Sequence, residues 1–103
     1  MAAYRIIISQ RGKFVVRPGR LPVRRKDTIV WKAIGTSAHV LIPDSSLLVG
    51  GVQAINLAAG IDSKPVTVST NADVDKVYPY SVFCDATGEF AQGDSDPELI
   101  VGP

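Results

Sequence analysis

Apolar residues recur along this chain in short extended runs closed by Gly, Pro, Asp and Ser, with no stretch at helical spacing long enough to hold a helix. Tyr4–Ser9 alternates and predicts a strand, and Gln10-Arg11-Gly12-Lys13 predicts a turn into a second run, Phe14–Arg17, stopped by Pro18-Gly19. Pro22–Arg25 continues extended, and Lys26-Asp27 turns the chain into Thr28–Ala33, rich in β-branched and aromatic residues. Gly35-Thr36-Ser37 breaks the pattern before His39–Ile42. Val52–Leu57, Pro65–Thr70, Val77–Cys84 and Glu98–Val101 follow. Segment Ser45–Gly51 places Leu47, Leu48 and Val52 on a conceivable helical face, yet Gly50-Gly51 costs a helix about 1 kcal/mol per glycine. It is expected to be a covering loop or one short helical turn.

About seven to eight short strands at close spacing predict an all-β sandwich of packed, mostly antiparallel sheets. Alternation within the runs places Ile6, Ile8, Ile29, Trp31, Val66, Val68, Tyr80, Val82 and Ile100 in its core. Either Tyr78 or Tyr80 is a candidate to bond backbone with its hydroxyl, as a tyrosine corner does.

Three stretches together carry a resemblance. Lys26-Asp27-Thr28-Ile29-Val30-Trp31 followed by Ser37-Ala38-His39-Val40 is a turn, a strand with a tryptophan, and a histidine opening the next strand. Leu57-Ala58-Ala59-Gly60 is a loop before a further strand, and Val77–Cys84 is a strand ending on a cysteine, with Glu98–Val101 closing the chain. This arrangement resembles the cupredoxin (blue copper protein) family, and the resemblance implies a single-domain Greek-key β-sandwich spanning residues 1–103. It also implies His39 as one imidazole ligand and Cys84 as the thiolate. A type 1 copper site needs a second imidazole and a weak axial ligand as well. The chain departs from that pattern, because His39 is its one histidine and Met1 its one methionine. The loop after the cysteine, where the second histidine is due, reads Asp85-Ala86-Thr87-Gly88-Glu89-Phe90.

The expected function is therefore a non-enzymatic binding or interaction module, cupredoxin-like in fold, without the type 1 copper site and without a cofactor. The alternative is a metal-binding protein, for copper or zinc, that uses His39 and Cys84 with Asp85, Glu89 or Gln92 and is linked to electron transfer. An immunoglobulin-like adhesion module is a third reading, although Cys84 has no partner cysteine for the disulfide that usually bridges those sheets. Read without the resemblance, Cys84 is a buried thiol and His39 a structural histidine bonded to backbone.

At 103 residues and 46% hydrophobic, the chain can bury a core without disulfide or metal. No apolar run approaches the roughly 20 residues that cross a bilayer, and Ile6-Ile7-Ile8 is too short for the core of a signal peptide. A cytoplasmic protein or a trimmed exported one is expected. The net charge of +1 conceals an uneven distribution: residues 1–32 hold nine basic residues against Asp27, and the remainder holds nine acids against Lys64 and Lys76. One expectation is that the opposite charges meet across neighbouring strands; the other is a basic face that meets an anionic partner. Without interleaved aromatics or a recognition motif, nucleic acid is not expected to be that partner.

Overall fold

The computed structural model describes residues 1–91 and 96–103, which form eleven strands and no helix. The first sheet has the order β2-β1-β4-β7, built from β1 (Ala3–Arg11), β2 (Lys13–Arg17), β4 (Thr28–Ala33) and β7 (Val66–Thr67). A three-stranded sheet runs β3-β11-β8, from β3 (Arg20–Arg24), β8 (Lys76–Pro79) and β11 (Glu98–Gly102). The remaining sheet runs β10-β9-β5-β6, from β5 (Ala38–Leu41), β6 (Ala54–Leu57), β9 (Ser81–Cys84) and β10 (Glu89–Phe90). Pairing is mixed: β1 lies parallel to β4 and β3 parallel to β11, with the other ladders antiparallel.

The single run expected over Val77–Cys84 is divided between two sheets. Pro79 cannot donate to a ladder, and the chain steps across at Tyr80, whose amide bonds the Pro97 carbonyl at 2.9 Å. Proline also explains the place of β3: with Pro22 at its centre it is an edge strand, turning Leu21 and Val23 inward and leaving Pro22 exposed. Segment 45–51 is a covering loop, and Leu47 and Leu48 bury themselves beneath it, with Leu48 bridging Val68.

One continuous core joins the layers. Ile6, Ile8, Ile29, Trp31, Val68, Tyr80 and Val82 are all buried within it. The Trp31 and Tyr80 rings meet edge to face at 5.8 Å, tying the first sheet to the crossing strand. Val66 is half-buried at the margin. Ile100 is a correction: it too is half-buried, and Leu99 and Val101 take the inner positions of β11 opposite Leu21 and Val23. Leu99-Ile100-Val101 is apolar throughout, so alternation alone cannot choose its inner face. Tyr78 provides the bond to backbone, its hydroxyl accepting the Asp73 amide at 2.8 Å.

The turn before β4 is fixed by a buried carboxylate. Asp27 accepts the amides of Ala2 at 2.8 Å and Arg24 at 2.9 Å. Burial pushes its pKa up, but these two N–H donors and the nearby positive charges outweigh it, and the group stays below the usual carboxylate value. No helix among the described residues is long and apolar enough to cross a membrane.

Candidate functional site

The strand pair β5–β9 carries both residues singled out by the sequence, and its register decides their relation. Ala38 pairs with Cys84, His39 with Phe83, and Val40 with Val82. Directly opposed residues share a face of a sheet, and successive residues alternate faces. Val40 and Val82 are buried, so Ala38 and Cys84 also point inward, and both are fully buried. His39 and Phe83 point the other way, their rings 6.4 Å apart on the outer face. Imidazole and thiol thus leave the ribbon on opposite sides. The side chain that faces Cys84 is the methyl group of Ala38.

On the outer face, His39 is held from both ends. Its Nδ1 bonds Asn56 Oδ1 at 2.8 Å, across the β5–β6 pair, and its Nε2 lies 3.0 and 3.1 Å from the two Asp85 oxygens. Two nitrogens that each meet an oxygen acceptor favour the doubly protonated ring. The Asn56 carbonyl raises the His39 pKa above 6.5 most strongly; burial, the next largest effect, opposes it, and the charge and hydrogen bond of Asp85 add to the rise. Asp85 in turn accepts the Ser37 hydroxyl and bonds the Ser37 carbonyl through its own amide at 3.1 Å. The Ser37 hydroxyl and then His39 hold its carboxyl below the usual value. Thr36, buried beneath, accepts the Ala86 amide at 2.9 Å and donates to the Ser37 carbonyl. The result is a clamp that ties β5, β6 and the turn after β9 together.

On the inner face, burial first and the charge of Asp85 second push the Cys84 thiol up, which keeps it protonated and unreactive. Residues 85–88 form a tight turn, with Gly88 at a φ of 65° and its amide returned to the Cys84 carbonyl at 2.9 Å. That turn leads directly into β10, where Glu89 pairs with Cys84 and Phe90 with Phe83. Glu89 therefore belongs to the thiol's side of the ribbon but is exposed at its edge. Gln92, the remaining candidate ligand, lies outside the described residues. Among the described residues, no three His, Cys, Asp or Glu side chains group closely enough to hold a metal ion.

Solved structures with this architecture include pseudoazurin from Sinorhizobium meliltoi, 17% identical, which covers 100% of this chain and 76% of its own at a TM-score of 0.50. A Cu(I) form of an amicyanin variant is 16% identical, with 94% of this chain and 81% of its own covered at a TM-score of 0.53. The fold is the cupredoxin fold. No protein-family model matches the chain, and no curated protein matches its sequence. Identities this low establish a shared cupredoxin fold and leave function to the site itself.

The described residues do not fit a cupredoxin copper centre. A thiolate and two imidazoles are required on one side of the sheet, and here the thiol faces an alanine while the one imidazole is outside, engaged with Asn56 and Asp85. Sequence reading missed Asn56 as the partner of His39 and Ser37 as the partner of Asp85, because strand pairing brings each pair together. The opposite orientation of His39 did leave a signal: Val40 and Ile42 have to face inward, which turns His39 out.

Proposed function

We infer that this chain is a non-enzymatic binding module on a cupredoxin scaffold, one that has lost the type 1 copper site and works through contacts with another protein. The observation that carries the reading is the parity of β5 and β9, which sends His39 and Cys84 to opposite faces. Neither side chain is free for covalent chemistry. The thiol is buried with its pKa raised, and the imidazole has both nitrogens hydrogen-bonded.

Titration with Cu(II), followed by visible absorption and by metal analysis, tests this reading. No intense blue thiolate-to-copper band is expected. A stoichiometric blue complex formed by the monomer would overturn it. The alternative, an altered copper or zinc site that draws on His39 and Cys84, would require tight stoichiometric binding abolished by Cys84→Ala and by His39→Ala alike.

A further inference from the structure

The outer face of the first sheet gathers basic and apolar side chains. Along β1 the outward residues are Arg5, Ile7, Ser9 and Arg11. The register sets Arg17 and Lys32 on either side of Ile7, Val15 beside Ser9, Lys13 beside Arg11, and Val30 beside Arg5. No acidic residue occurs anywhere in β1, β2 or β4. Among the described residues, Asp62 reaches this face and bonds Arg5 at 2.9 Å. A further basic-to-acidic link between the two halves of the chain, Arg20 to Glu98 at 3.1 Å, lies on another sheet. On this face Arg11, Arg17 and Lys32 form no salt bridge with an acid among the described residues.

We propose that this face, with half-buried Ile7, Val15 and Val30 at its centre and Arg11, Arg17 and Lys32 around them, docks an acidic protein surface. The proposal rests on the binding-module reading and names the partner's chemistry. An apolar centre within a charged rim is the ordinary anatomy of a protein interface. Complementary charge steers the encounter and fixes its orientation. Strands about 4.8 Å apart give three of them a face of a few hundred Å², the size of a transient contact. Nucleic acid fits less well. The aromatic residues of these strands, Tyr4, Phe14 and Trp31, all turn inward, leaving no stacking platform, and a flat sheet face does not enter a groove.

The test is a nuclear magnetic resonance titration of the isotope-labelled chain with poly-L-glutamate. Amide shifts should concentrate on Arg5, Ile7, Arg17, Val30 and Lys32, and the affinity should fall steeply by about 150 mM salt. Arg17→Glu or Arg11→Glu, each verified as folded by its thermal transition, should weaken binding at least about tenfold. Lys76→Glu, the same change in charge on β8, should leave it within about twofold. Shifts centred on another face, or equal losses from Arg17→Glu and Lys76→Glu, would overturn the proposal. So would tighter binding of a DNA duplex or of phosphatidylserine vesicles than of poly-L-glutamate, or self-association through this face. Copper titration does not involve this sheet. A blue complex would remove the proposed function with the shift map intact, and a failed map would leave the copper result standing.

Discussion

The inner and outer sides of the β5–β9 ribbon are separated by one residue of sequence and differ in every physical respect. Inside, Ala38, Val40, Val82 and Cys84 are dry, apolar and without charge. Outside, His39, Asn56, Ser37 and Asp85 form a partly solvated chain of hydrogen bonds. A thiol and an imidazole placed on strands that pair directly still do not make a site, because parity matters as much as proximity. What would be a ligand pair in one register is here an inert core thiol and a surface clamp.

The sharpest way to break this comparison is to put the same charge on adjacent residues of β9. Val82→Asp buries a carboxylate with nothing to pair it and should cost at least about 4 kcal/mol, enough to leave a marginally stable domain largely unfolded. Phe83→Asp points outward, loses its ring contacts with Phe90 and His39, and should cost about 1 kcal/mol. Urea denaturation separates the two outcomes. Equal costs would mean that the faces have been misassigned.

The thiol offers the next largest effect. Cys84 should react with a thiol-specific disulfide reagent far more slowly in the native protein than in denaturant, since its sulfur is buried and protonated. Cys84→Ala should cost roughly 1 kcal/mol. His39→Ala should cost less, about 0.5 kcal/mol or under, because the clamp is substantially exposed. The double variant should be additive within about 0.5 kcal/mol, as side chains without shared packing are. A larger coupling would indicate that imidazole and thiol communicate through the ribbon.

The smallest effect is a pH dependence. Folding raises the His39 pKa above 6.5, so its contribution is fully present below 6.5 and is lost as pH rises through the folded value. The Asp85 pKa is lowered from 3.8, so its contribution is present above 3.8 and is lost as pH falls through the folded value. The clamp is strongest between those limits. The stability deficit of His39→Ala should be widest there and fade towards alkaline pH, as followed by urea midpoints across pH.

Much of the fold was legible in the chain, and the limits of that reading are specific. Thr28–Ala33 was bounded correctly because a polar turn precedes it and Gly35 follows, with alternation clear between them. The paired glycines of segment 45–51 argue against a long helix and leave a loop or one short turn, and the loop is what forms. The count of strands fell short because β10 is two residues long and because Pro79 divides one apparent run. The parallel pairing of β1 with β4 left no local trace, since pairing partners are chosen in three dimensions. Alternation beside Val40 and Ile42 turns His39 outward, but that β5 pairs with β9, which sets His39 and Cys84 near each other, depends on strand register, which neither local sequence contains.

The three-stranded sheet has a consequence for the order of events during synthesis. Its central strand, β11, is made after the other ten strands, yet both β3 and β8 hydrogen-bond to it and not to each other. On a ribosome, β3 waits until β4 to β10 have been made before it finds its neighbour, and β8 waits beside it. Until then Leu21, Val23 and Tyr78 have no cover on that side, an interval in which a nascent chain is most exposed to wrong association.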